Sequence, residues 1–447
     1  MLRGSIPPEH WARFRGYAER VRIATTLRSA MDDIHSSVWV LLAVRCGGSP
    51  LMPHLRELRA NLSLTDTSYL ALLLSPTLRT LSLSFGVKSK DGNCLHFPHI
   101  AASLLQILPP RVPDLEHLTY RAGFNLEQEH LQSFTHFKRL KSLITPSNIA
   151  LNKDMLQILS SVTTLQELSC WINLSGASAL ALPHAFCKLK DLNLTGAADH
   201  FLTFFLACHF PELVHIDLHI TQPPSVRPPQ DAFSALSQRC NPALLTSFAA
   251  EFNHQFTARP KSLMEYIRPL LALRNMSSFR LVFPYTEPSV RDDDLVQIGA
   301  AWSQLSSFRI EHSTGKYSER DVSAPTLSAL VAFALRCPSL TTLYIPELDP
   351  RVLPEHGEQW QNALPRQGRA LTSLGINNVR PPLSFDVYMD VATVLDRAFP
   401  SIDLKAAESW MVMGPSGKGW LDVLRLMKAM RVGRANGGLR TDLQMQG

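Results

Sequence analysis

Leu213-Val214-His215-Ile216-Asp217-Leu218 is the stretch from which the fold of this chain can be read. Apolar residues stand at its first, fourth and sixth positions. The last three residues alternate apolar, polar, apolar, which is the period of a β-strand. Ile216 and Leu218 therefore point one way, and His215 and Asp217 the other. A single strand this short cannot bury its apolar face alone, but one stacked against a second copy can.

The copies are present. Towards the N-terminus the phrase recurs from Leu55, Leu78, Leu115, Leu140, Leu165 and Leu189. Towards the C-terminus it loosens, with Phe248, Phe279 and Phe308 at the fourth position, and recurs from Leu245, Met276, Leu305, Leu340 and Leu371. The twelve copies lie about 23–37 residues apart, against 20–29 for regular leucine-rich repeats. Pro53, Pro76, Pro113, Pro211 and Pro338 precede several of them. Helix-length amphipathic stretches fall between: Asp66 to Leu74, Ile100 to Leu108, Glu127 to Phe134, Asp154 to Ser161, Asp199 to Cys208, Asp231 to Arg239, Lys261 to Leu273, Asp292 to Trp302, Thr326 to Arg336 and Asp386 to Phe399. Several start on Asp or Thr, residues suited to an N-cap. Strands alternating with helices imply parallel pairing. The expected fold is an α/β leucine-rich-repeat solenoid, a horseshoe with parallel strands on the concave face and helices on the convex face. Residues 1–50 are expected to form an N-terminal helical cap, 51–405 the solenoid, and 406–447 a helical cap with a tail frayed from Ala435 onward. Thr221 to Gln230, Pro346 to His356, Asn377 to Leu383 and Gly86 to Pro98 read as loops.

Composition narrows the function classes. A net charge of +6 over 447 residues is small, and no Lys/Arg block resembles a nucleic-acid-binding arm. The loose cluster Arg425, Lys428, Arg431, Arg434 reads as a solvated helix face. No run of roughly twenty apolar residues could span a membrane, and no signal-peptide core follows Met1. Seven scattered cysteines, never in a Cys-x-x-Cys pair, argue against a disulfide framework or zinc site and suit a reducing compartment. The expectation is a cytoplasmic or nuclear monomer that engages neither nucleic acid nor membrane.

Two regions go beyond a generic repeat. His10-Trp11-Ala12-Arg13-Phe14-Arg15-Gly16-Tyr17-Ala18-Glu19-Arg20-Val21-Arg22 resembles the segment that follows the F-box in fungal, basidiomycete-type F-box/leucine-rich-repeat proteins. So do Leu74-Ser75-Pro76-Thr77-Leu78 and the run from Val391 to Pro400. The resemblance implies a substrate receptor of a cullin-based ubiquitin ligase, whose F-box docks an adaptor subunit while the repeats hold the substrate. No F-box is found ahead of Trp11, so an adaptor partner is expected only if one is encoded upstream. The alternative is an interaction scaffold of the same fold with no ubiquitin link.

A protein partner is expected on the concave face, where residues alternate with the buried leucines. Arg59, Arg121, Trp171, His215, Asp217, His219, Arg280, Arg309 and Tyr344 are the candidate contacts. Trp171, Tyr344, Arg121, Arg280 and Arg309 lead, because hot spots are enriched in Trp, Tyr and Arg. His215, Asp217 and His219 share a strand face, but the outer pair stands roughly 13 Å apart, too far for one metal ion. Asp292-Asp293-Asp294 reads as an acidic first helical turn. His96-Phe97-Pro98-His99 reads as a loop with no Cys or carboxylate at ligand spacing, and two histidines alone are a weak signal. Gly414-Pro415-Ser416-Gly417-Lys418-Gly419 lacks the spacing of a phosphate loop. No Gly-x-Ser-x-Gly elbow occurs. No catalysis and no cofactor are expected.

Overall fold

A computed structural model describes residues 6–27, 36–62, 68–85, 97–121, 132–145, 150–176, 180, 182, 185–222, 229–253, 262–285, 288–312, 324–350, 370–379, 384–409 and 418–445. The chain forms two compact units, Met1–Leu213 and Val214–Gly447.

In the first unit the strands are β1 (Ile23–Leu27), β2 (Glu57–Leu62), β3 (Thr80–Phe85), β4 (His117–Arg121), β5 (Ser142–Ile144), β6 (Ala150–Leu151), β7 (Glu167–Ile172) and β8 (Asp191–Ala197). They pair in parallel and in sequence order, except that β5 and β6 both pair with β7. The helices are α1 (Pro8–Ala18), α2 (Ser36–Cys46), α3 (Ser68–Leu73), α4 (Phe97–Arg111), α5 (Lys153–Ser160) and α6 (Ala198–Ala207). The second unit carries β9 (His215–Gln222), β10 (Ser247–Phe252), β11 (Ser278–Phe283), β12 (Ser307–His312), β13 (Thr342–Leu348) and β14 (Ser373–Val379), again parallel and in order. Its helices are α7 (Pro229–Arg239), α8 (Leu263–Ile267), α9 (Asp292–Ala301), α10 (Leu327–Arg336), α11 (Phe385–Ala398), α12 (Leu404–Ser409) and α13 (Lys418–Met445). Each unit is a leucine-rich-repeat solenoid built from parallel strands with helices packed on one sheet face.

The repeat phrase works as its spacing requires. Its first leucine closes a turn: the N–H of Leu55 donates to Met52 O, that of Leu78 to Ser75 O, and that of Leu340 to Cys337 O. Proline sits second in these turns, where its fixed φ is already correct. The fourth and sixth positions are buried against the helices: Leu58, Leu81, Leu118, Leu143, Leu168 and Leu218 have no exposed surface. Each stabilises by roughly 1.5–3 kcal/mol relative to exposure. In the second unit the register places Phe248, Phe279 and Phe308 opposite one another, and their rings stack at 5.6 and 5.8 Å. Phe252 and Phe283 stack likewise at 4.6 Å. The looser half of the repeat is thus an aromatic ladder. Phe233 of α7 and Phe333 of α10 press edge-on into it from the helical layer.

Several expectations change. β1 lies inside the segment expected to be a helical cap, and pairs with β2 through Ile23↔Glu57 and Ala24↔Leu58. β9, β13 and β14 run through Gln222, Leu348 and Val379, and α4 and α7 start at Phe97 and Pro229, so parts of all four expected loops are regular structure. Lys261 to Leu273 is not one helix: α8 ends at Ile267 and a 3-10 turn, Arg268–Ala272, follows, because Pro269 has no N–H to donate. The expected helix from Glu127 lies mostly outside the described residues. Caps are Asn152, Ser262, Thr326 and Ser384, each accepting a backbone N–H, whereas Asp292 sits one position, and Asp154 and Asp386 two positions, beyond the cap residue and complement the helix dipole.

The tail expected to fray from Ala435 is helical to Met445. Arg431 and Arg434 are not merely solvated. Both bind the fully buried carboxylate of Asp396 on α11, and Arg431 also donates to Ile402 O at 2.7 Å.

Candidate functional site

In a parallel, in-register sheet, residues at one phrase position line up as rows across the strands. The side opposite the helices is the open face. Each unit has such a face, the nine candidate residues stand on the faces of their own units, and none is buried. Arg59, Arg121 and Trp171 belong to the first unit, and the other six to the second.

The second unit carries the more connected set. One row reads Asp217, Ala249, Arg280, Arg309, Tyr344, Gly375. The next reads His219, Glu251, Val282, Glu311. The row beneath is small and hydroxylic from Ser247 through Ser278, Ser307 and Thr342 to Ser373, with His215 at its head. Glu311 ties two rows together. Its carboxylate accepts two hydrogen bonds from Arg280, Nε at 3.0 Å and Nη2 at 3.2 Å, and meets Arg309 Nη2 at 2.7 Å. The hydrogen bond to Glu311 raises the Arg280 pKa, with Asp217 and Glu251 adding to the effect. The Arg280 side chain is 47% exposed and that of Arg309 23%. Arg280 is therefore the more exposed of the two cations.

Tyr344 lies flat across Gly375, so closely that any side chain there would overlap the ring. Its hydroxyl is pushed up to about 12, chiefly by burial and secondarily by Glu311. His219 is held between two carboxylates, with Nδ1 3.3 Å from Glu251 and Nε2 3.7 Å from Asp217. Among the described residues no group of three or more His, Cys, Asp or Glu side chains could hold a metal ion.

In the first unit the rows are sparser. Arg59 donates to Glu57 on its own strand at 2.7 Å. Arg121 is exposed at the end of β4. Trp171 is half-buried between Ala150 of β6 and Thr195 of β8. Because the strands outrun the six-residue phrase, Ser84, Thr195 and Val282 extend the open face beyond what the phrase marks.

The acidic turn is structural as well as electrostatic. Asp294 is buried and accepts the N–H of Arg291, while Asp292 accepts both the N–H and the hydroxyl of Thr326, stitching α9 to the next repeat. Of the weaker motifs, His99 is exposed on α4; His96 and residues 414–417 lie outside the described residues. Cys46, Cys170, Cys208, Cys240 and Cys337 are buried free thiols, and burial raises the pKa of each. Among the described residues no helix is long and apolar enough to cross a membrane.

No protein-family model and no curated protein matches the chain. Comparison with solved structures returns the crystal structure of the Rad7 and Elc1 complex in yeast, with 13% sequence identity over 71% of this chain and 92% of that one, at a TM-score of 0.27.

Proposed function

We propose that this chain is a protein-binding solenoid whose open strand face carries the partner contact. The observation that supports it most is the row from Asp217 to Tyr344. There, two arginines and a tyrosine ring, with Glu311 of the next row bridging the arginines, stand on a parallel ladder among small Ser, Thr, Ala and Gly residues. Long polar and aromatic side chains rising from a low floor suit a protein surface, because Arg and Tyr are anchor residues and the small neighbours leave room for the partner's own side chains. Holding Arg280 and Arg309 on Glu311 in advance reduces the ordering cost of binding.

The finer reading is a substrate receptor of a cullin-based ubiquitin ligase, working as a monomer in the cytoplasm or nucleus. It rests on the sequence resemblance of the segments at His10, Leu74 and Val391. A plain interaction scaffold is the alternative.

Proximity labelling in cells with the parent chain, with Trp171→Ala and with Arg280→Glu/Tyr344→Ala tests the face. The expected result is that a shared partner loses at least tenfold of its signal in one variant, about 1.4 kcal/mol of binding. Partner lists that match the parent in both variants would remove the open face as the site. Co-purification of adaptor and cullin subunits with the parent chain separates receptor from scaffold.

A further inference from the structure

The open face is not the only surface with a pattern. The second residue of each phrase sits just before its strand, and the carbonyls from Arg56 to Gln166 and from Val214 to Thr341 each accept two N–H groups from the next repeat. These residues are therefore stacked one strand spacing apart, about 4.8 Å. In the second unit the row is uncharged: Val214, Thr246, Ser277, Ser306, Thr341, Thr372. Each hydroxyl donates to the carbonyl of the preceding repeat, as Ser306 Oγ does to Ser277 O at 2.8 Å. In the first unit the same row reads Arg56, Arg79, Glu116, Lys141, Gln166, Lys190. Turn residues just ahead add Lys138, Arg139 and Lys188.

We propose that this basic strand edge of the first unit, Arg56 to Lys190, is a second binding surface that takes an extended acidic peptide segment of a partner protein. Two adjoining grooves support it. One, of about 380 Å³, is walled by Lys138, Arg139, Lys141 and Lys188 over Thr164 and Gln166. The cations outnumber the acids there. Glu116 is already satisfied, with Lys141 Nζ at 2.6 Å and Arg79 at 3.6 Å, and the Lys141 hydrogen bond holds its carboxyl below the usual range. Asp114 is taken by Arg139 at 3.1 Å. Arg56, Lys138, Lys188 and Lys190 are exposed to solvent and face outward.

The second groove, of about 560 Å³, shares Lys138 and is walled by Pro109, Pro110, Pro113, Ser133 and His136. An apolar side chain fits between those prolines, next to the cations. Acidic residues preceded by an apolar anchor are the complementary ligand. Nucleic acid fits less well. Among the described residues no Phe, Tyr or Trp lines either groove for bases to stack on.

The test is fluorescence anisotropy of the full chain with a labelled peptide of leucine followed by alternating Asp and Glu, at two salt concentrations. The competitor is a single-stranded oligothymidylate of equal charge. Saturable binding that weakens with salt is expected. Lys188→Glu/Lys190→Glu, which touches no buried group, should weaken it about tenfold. Lys188→Gln/Lys190→Gln should weaken it by an intermediate factor. Arg239→Glu/Arg274→Glu makes the same change in net charge on the second unit and should leave binding intact. The proposal is overturned if the oligonucleotide binds more tightly than the peptide, if the control pair weakens binding as much as the edge pair, or if no saturable binding occurs.

Discussion

Phe279 and Arg280 are neighbours on β11 that face opposite ways, so truncating each to alanine tests the division of labour between sheet faces. Phe279 has no exposed surface. Its ring lies 5.6 Å from Phe248, 5.8 Å from Phe308 and 4.8 Å from Trp302. Removing a buried phenylalanine costs about 3–5 kcal/mol, the cavity included. Three aromatic neighbours in contact place this site near 4 kcal/mol. Arg280→Ala removes an ion pair to Glu311 from a side chain that is 47% exposed. Solvent screening keeps that loss below about 1 kcal/mol. Contacts in a repeat array are local, so the damage should concentrate in β10, β11 and β12. Hydrogen exchange reads this out directly: amides that exchange by opening of those repeats should speed up about a thousandfold in Phe279→Ala and less than about tenfold in Arg280→Ala. Equal acceleration in the two variants would refute the assignment of faces, as would a larger effect from Arg280→Ala.

Three further outcomes follow from the same geometry. Leu192→Asp puts a carboxylate where the parent side chain is 2% exposed, and should open the first unit to limited proteolysis at a temperature where Trp171→Ala stays resistant. Arg431→Ala leaves the buried Asp396 carboxylate with one partner and removes the side-chain donor to Ile402 O; urea unfolding should show a loss of about 3 kcal/mol, against less than about 1 for Arg425→Ala at the exposed Asp422 pair. Burial raises the Asp294 carboxyl above its ordinary 3.8, so its contribution to stability is full below that pH and is lost as pH rises through the folded value. Asp294→Asn keeps an oxygen to accept the Arg291 N–H and should raise Tm at pH 7, with the gain vanishing below pH 3.8; a lower Tm at pH 7 would contradict the burial argument.

How far the chain could be read in advance depends on distance along it. Leu-x-x-Leu-x-Leu announces a strand with one buried face because alternation is a property of neighbouring residues. The prolines at positions 53, 76 and 338 mark turns for the same local reason. Phe248, Phe279 and Phe308 look like drift from the leucine pattern until register sets their rings on one another. Arg431 reads as a solvated cation because its partner, Asp396, lies a helix away.

Local pattern alone therefore determined that short parallel strands alternate with helices, which positions are buried, and that all nine candidate side chains stand opposite the buried leucines. Tertiary structure decided what those side chains do to each other: that Glu311 clamps Arg280 and Arg309, that Tyr344 closes over Gly375, and that cations scattered from Arg56 to Lys190 become one edge. The physical reason is that backbone periodicity acts over a few residues, whereas pairing between strands brings together groups some thirty residues apart and sets them about 5 Å from each other.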